Sequence, residues 1–285
     1  MATFVTGADI GDAWLQAFST MGGSDKGVVN LSVEIQNPLI EDLGVRGAIE
    51  RHLSALRSAE NRVQSIHTVA NTIFPIAQYR PGKGAADRYF ANVIEGAAVR
   101  RGASAGWGTY AERLVAYPSW DGKTTNQLGK ILERLRGVRH WHDIYEAPIE
   151  TADDADSTAT AILHSDVRMD SRRRGGPCLA HLSFTLADGK LSLVALYRHH
   201  TYIDRAYGNF VGLGRLMNFL ATEAALEVGN LLVVTGHANA GLSGAATLLT
   251  SASAEQGTTS PIELTARPLG VGWQDLELPR AARVA

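Results

Sequence analysis

Apolar residues recur at helical spacing over residues 8–21 and 46–58, and between them VVNLSVEIQ alternates apolar and polar positions as a strand does. SIHTVANTIFPIAQYRPGKG then runs apolar until Pro75, Pro81 and Gly82 interrupt it, and Ala85 to Arg101 returns to a helical pattern. In TTNQLGKILERLR (124–136) the side chains of Leu128, Ile131, Leu132 and Leu135 fall on one face, with Thr124 or Thr125 placed to cap the start. Two alternating runs, LAHLSFTL and LSLVALYR, flank Ala187-Asp188-Gly189-Lys190, and an Asp-Gly pair in that position predicts a β-hairpin over 179–198. On its first strand Leu182, Phe184 and Leu186 share one face and the more polar His181, Ser183 and Thr185 the other. Gly208 to Leu226 reads as a long apolar helix and LLVVTG (231–236) as a short buried strand. The acidic stretch at 150–158 reads as a surface loop before a short TATAIL strand. Strands interleaved with helices predict a mixed α/β fold.

Composition narrows the function classes. Apolar residues make up 45% of 285 and charged residues 20%, enough to build a sizeable core and too apolar for long disorder. A formal net charge of −2 gives no global attraction to nucleic acid or anionic membranes, so anion binding has to come from local arginines. No run of about 18 apolar residues occurs and no basic-then-apolar leader opens the chain, so the expectation is a cytoplasmic protein with neither membrane nor nucleic-acid partners. A single cysteine excludes an intramolecular disulfide, and without a Cys/His cluster no metal is expected.

That cysteine, Cys178, follows SRRRGGP and stands at the start of the predicted hairpin. A thiolate nucleophile needs nearby positive charge, which Arg172, Arg173, Arg174 or Arg198 would supply if folded close to it. A lone cysteine is equally the small apolar residue of many cores.

The stretch from Pro177-Cys178 through YRHHTYIDRAYGNFVGL to LEVGNLLVVTGHAN resembles the thymidylate synthase family in the order of its parts. These are a Pro-Cys pair opening a hairpin, an arginine-bearing strand, an Asn-bearing loop, a long helix and a His-containing strand. It is most similar to the archaeal and hydroxymethylase-like branches. WGTYAERLVAYPSWDGKTTNQLGKILERLR extends the likeness upstream to about residue 105, while the first hundred residues match poorly. The resemblance implies one thymidylate-synthase-like domain over 1–285, built on a large twisted mixed sheet with flanking helices and paired through its sheet in a homodimer. It implies 5,10-methylenetetrahydrofolate as one-carbon donor and a pyrimidine nucleotide, or a nucleoside in specialised biosynthesis, as acceptor. Carried over by position, Cys178 is the nucleophile that adds to C6 of the ring, and Arg198 contacts phosphate and thiolate. Asn209 reads the N3/O4 edge and favours uracil, and Tyr110 handles protons and water near C5. His200 is the better placed of the His199–His200 pair, because adjacent strand residues face opposite ways.

The pattern also departs from the family. Its paired phosphate-binding arginines would fall in DADST, leaving Arg136, Arg139 or Arg172 to Arg174 to act in their place. Its His-x-Tyr sugar contacts fall on Asn239 and Gly241, with Asn239 able to make one hydrogen bond and His237 two residues away. Its catalytic glutamate would fall near Thr68, with Asn71, Glu95 and Glu112 as candidate replacements. These losses leave open a nucleotide-binding relative without turnover.

Overall fold

The computed structural model describes residues 2–21, 27–58, 63–101, 108–118, 123–137, 145–149 and 177–264. Its strands are β1 (Thr3–Gly7), β2 (Val28–Ile35), β3 (Ile40–Glu41), β4 (Tyr117–Pro118), β5 (Thr124–Thr125), β6 (Tyr145–Pro148), β7 (Leu179–Ala187), β8 (Lys190–Thr201), β9 (Glu227–Asn239) and β10 (Ile262–Glu263). Its helices are α1 (Ile10–Ser19), α2 (Leu43–Arg57), α3 (Ile66–Ile73), α4 (Ala85–Arg101), α5 (Tyr110–Val115), α6 (Gln127–Leu135), α7 (Tyr207–Ala224) and α8 (Ala245–Glu255).

Six strands form one mixed sheet in the order β1-β2-β9-β8-β7-β6. β1 runs parallel to β2 and β8 parallel to β9, while the other neighbours are antiparallel. The predicted hairpin is β7 and β8. Asp188 and Gly189 take φ values of 48° and 75°, the paired left-handed conformation of a turn whose twist matches its strands. Leu182, Phe184, Leu193, Tyr197, Leu231, Val233, Leu31 and Val33 are buried on the face that the helices cover. The opposite face carries Phe4, Glu34, Val194, Leu196, Ser183 and Glu146, and Phe4, Val194 and Leu196 stand exposed on it. Among the described residues, helices cover one face of this sheet and leave these side chains on the other.

Helix boundaries follow their caps. Asp9, Asp42, Ser65 and Thr109 each accept a backbone N–H at the start of α1, α2, α3 and α5. At α6 the cap is Asn126, which accepts from Gly129 N at 2.8 Å, whereas Thr124 and Thr125 form β5. α3 stops before Pro75, which has no N–H to continue it. The central α7 is buried along nearly its whole length and packs against α3 across two glycines. A Cβ on Gly208 would stand 2.6 Å from Val69 Cβ, and one on Gly212 would stand 2.8 Å from the Ala70 carbonyl. Between β8 and α7, Tyr202–Ala206 forms a π-helical turn, and Trp14 of α1 donates its indole N–H to the Tyr202 carbonyl at 3.0 Å. The TATAIL segment and the acidic loop at 150–158 lie outside the described residues.

Candidate active site

Cys178 immediately precedes β7, and two contacts fix its backbone. The Tyr110 hydroxyl oxygen accepts the Cys178 N–H at 3.1 Å and the Leu179 N–H at 3.3 Å, while the Cys178 carbonyl accepts from Arg198 N at 2.8 Å. Tyr110 is itself buried at the first position of α5, so a helix end and a strand hold the cysteine between them. Burial, and secondarily the charge of Cys178, pushes the Tyr110 phenol up to about 12, and it stays protonated at neutral pH.

The cysteine opens onto a cleft of about 340 Å³. α3 contributes Val69 and Thr72, the segment before α5 gives Gly108, and α5 gives Tyr110; β8 adds His199, His200 and Thr201, and the π-turn with α7 adds Arg205 and Asn209. Asn209 sits in the first turn of α7 rather than in a reverse turn, and its Nδ2 lies 2.8 Å from His200 Nε2. An amide NH₂ can only donate, so His200 accepts at Nε2 and carries its own proton on Nδ1. That ring is buried and stacked on Tyr197 with centroids 4.2 Å apart, and burial pulls its pKa down to about 3. His200 is therefore neutral and fixes the rotation of the Asn209 amide. The Asn209 carbonyl and second N–H take no partner among the described residues, which leaves a donor and an acceptor on one edge for a ligand.

Both adjacent histidines line the cleft, contrary to the expectation that one would. His199 is half-buried, stacked on His237 at 5.3 Å, and accepts from Asn239 Nδ2 at 3.2 Å. Burial, helped by His237, holds its pKa below the usual range. Asn239 thus reaches the cleft through His199, and the Asn239 carbonyl oxygen is buried without a partner among the described residues.

Tyr197 takes the buried position on β8, so strand alternation turns Arg198 outward, where its side chain is exposed and donates to the Pro177 carbonyl. It touches the backbone beside the cysteine but does not line the cleft. Arg136 donates to the Glu223 carboxylate and carbonyl, both at 2.7 Å, and is likewise absent from the cleft. Arg139, Arg172, Arg173 and Arg174 lie outside the described residues.

No carboxylate stands where the resemblance places one. Thr68 is exposed, and the α3 side chains that line the cleft are Val69 and Thr72. Asn71 faces α7, accepting from Arg215 at 3.4 Å, and Glu95 is exposed on α4. Glu112 folds back over Gly108, a cleft residue, with Oε2 2.7 Å from where a Cβ there would sit. The residue that sequence reasoning missed is Arg205, the one lining side chain with a permanent charge among those described.

No family model matches the chain. Among curated proteins, one from Methanothermobacter marburgensis, provisionally named a thymidylate synthase, is 26% identical over 125 residues, 44% of this chain and 47% of that protein. A protein of the same provisional name from Methanothermobacter thermautotrophicus is 28% identical over the same shares. A third, from Methanosarcina acetivorans, is 24% identical over 142 aligned residues, 44% of this chain and 65% of its own length. The chain thus spans about half the length of two of these relatives and just under two thirds of the third. Taken with the mixed sheet and the Pro-Cys hairpin, these likenesses support a divergent member of the thymidylate synthase family.

Proposed function

We propose that the protein transfers a one-carbon unit, methyl or hydroxymethyl, to C5 of a pyrimidine through covalent addition of Cys178 to C6. The observation that carries this reading is that Cys178 and the Asn209 amide edge share one cleft. An amide held in one rotation pairs its N–H with O4 and its carbonyl with N3–H of a uracil-type ring, which sets the ring over the thiol. The Cys178 sulfur then bonds to C6 and the electron pair moves to C5. C5 takes up a one-carbon unit at the formaldehyde level, its proton leaves to a base and the carrier amine departs. Water adding at the new carbon gives hydroxymethyl, or a hydride that the reduced folate would supply, becoming dihydrofolate, gives methyl, and either addition expels the sulfur from C6 and restores the ring. Tyr110, protonated throughout, positions Cys178 and presents its phenol to that ring. Glu112, folded over the cleft residue Gly108, is the carboxylate that this reading assigns to the proton transfers.

The donor set fits a reduced folate in part. Thr72, Thr201 and Arg205 offer hydroxyls and a cation, while α3 offers no carboxylate to the cleft. Methylenetetrahydrofolate would supply the activated one-carbon unit. Family-level likeness to thymidylate synthases supports a transferase of this kind. The acting form in this reading is a homodimer formed through the open sheet face, where Phe4, Val194 and Leu196 are exposed.

The test is tritium release from C5-labelled dUMP, UMP, dCMP and CMP with and without methylenetetrahydrofolate, beside Cys178→Ala. Release from one substrate that disappears in the variant is expected. Release that persists in Cys178→Ala would remove the cysteine mechanism, and ligand binding without any release would favour a binding relative that has lost turnover.

A further inference from the structure

Apart from one side chain, the described lining of the cysteine cleft is uncharged. His200 is neutral, His199 is held below its usual pKa, and the rest are apolar residues, hydroxyls, an amide and the thiol. The exception is Arg205, on the π-helical turn between β8 and α7. A π turn inserts an extra residue into a helical path and commonly marks a working site. Here it carries an arginine that lines the cleft.

The guanidinium is aimed by two bonds. Nε donates to Asp204 Oδ2 at 3.2 Å, and Nη1 donates to Gln64 Oε1 at 2.5 Å. Nη2 takes no partner among the described residues, and the side chain remains 39% exposed. The Tyr110 hydroxyl lies within electrostatic reach of this charge and touches the Cys178 N–H. Arg205 is thus a fork held on one side with donors left open on the other, beside the nucleophile. Such an arrangement matches a planar or tetrahedral oxyanion better than a structural pair, which would consume the whole fork.

We propose that Arg205 is the anion-binding residue of the cysteine cleft and holds an oxyanion of a bound ligand, either the phosphate monoester of the nucleotide or a carboxylate of the one-carbon donor. This rests on the pyrimidine reading of the same cleft. It also puts an anion contact on the cleft lining itself, where Arg198 is bonded to the Pro177 carbonyl and Arg136 to Glu223.

Equilibrium titration of wild type, Arg205→Gln and Arg205→Lys separates the two sources. The ligands are dUMP, UMP, dCMP and CMP beside their nucleosides, and tetrahydrofolate beside 6-methyltetrahydropterin, which carries no carboxylate. If Arg205 holds the phosphate, wild type prefers a monophosphate to its nucleoside by roughly tenfold or more, Arg205→Gln loses that preference with nucleoside affinity unchanged, and Arg205→Lys keeps part of it. If it holds the carboxylate, the same pattern appears between tetrahydrofolate and 6-methyltetrahydropterin instead. Wild type and Arg205→Gln that bind all ligands alike overturn the proposal while leaving the pyrimidine reading standing. Failure of wild type to bind any of them overturns both.

Discussion

His200 ties the chemistry of the cleft to the stability of the fold. Its ordinary pKa of 6.5 falls to about 3 in the folded protein, chiefly because charging it would bury a cation against Tyr197 and Phe210. The unfolded chain therefore binds a proton below pH 6.5 that the folded chain refuses. The stability this residue contributes is complete above 6.5 and falls as pH drops toward 3. At pH 5 the loss is about 2 kcal/mol, since each unit of pKa difference corresponds to about 1.4 kcal/mol. Replacing His200 with Gln keeps an acceptor for Asn209 and removes the titration. Urea unfolding at pH 7 and pH 5 is expected to show a smaller acid loss in His200→Gln than in wild type by roughly that amount; equal losses would show that the ring takes up its proton in the fold. Cys178, Tyr110, His200 and Asn209 were picked out in the sequence because each lies at a position of the family-like motif, and the fold brings all four to one cleft. Arg205 was not, because its place depends on a π turn that no periodicity announces.

At the scale of elements, the cleft depends on how closely α3 approaches α7. Gly208 and Gly212 let the helices meet backbone to backbone, which brings Val69 and Thr72 to the cysteine and Asn209 to His200. Gly212→Ala drives a methyl to 2.8 Å from the Ala70 carbonyl, a backbone atom that yields only if α3 moves. The expected cost is about 1–3 kcal/mol, with weaker ligand binding because the same movement shifts Thr72. A thermal melt beside a binding titration checks this: an unchanged midpoint would mean that the helices do not touch there, and a lowered midpoint with unchanged affinity would uncouple α3 from the cleft. Elements with a strong apolar stripe or a turn signal, such as α6 and the β7–β8 hairpin, were legible in the sequence for that physical reason. β1 and β6 were missed because they are short edge strands of five and four residues, whose pairing comes from distant neighbours. β9 extends well past the apolar LLVVTG because β2 and β8 flank it and supply hydrogen bonds to its polar ends.

For the whole molecule, the outer face of the sheet has the layout of a buried layer without a second layer over it among the described residues. Val194 and Leu196 of β8 stand opposite Leu232 and Val234 of β9, making an apolar centre, and the rim carries Glu34 bonded to Thr6 and Asn230 on one side and Glu146 bonded to Ser183 on the other. An apolar centre inside a polar rim is the anatomy of a protein interface. A second copy of the chain would cover it and would enclose Arg198, two residues from Leu196 and bonded beside the cysteine. Leu196→Glu tests this at the centre of the face, since its side chain is 43% exposed in the single chain and contributes little to folding there. In a dimer it would put a carboxylate in each copy's buried layer, a cost of several kcal/mol that nothing apolar opposite repays. Light scattering is expected to give twice the chain mass for wild type and the single chain mass for Leu196→Glu, with an unchanged melting profile at low protein concentration. A wild type that runs as a monomer would leave the sheet face open in solution and would put the complete site within one chain.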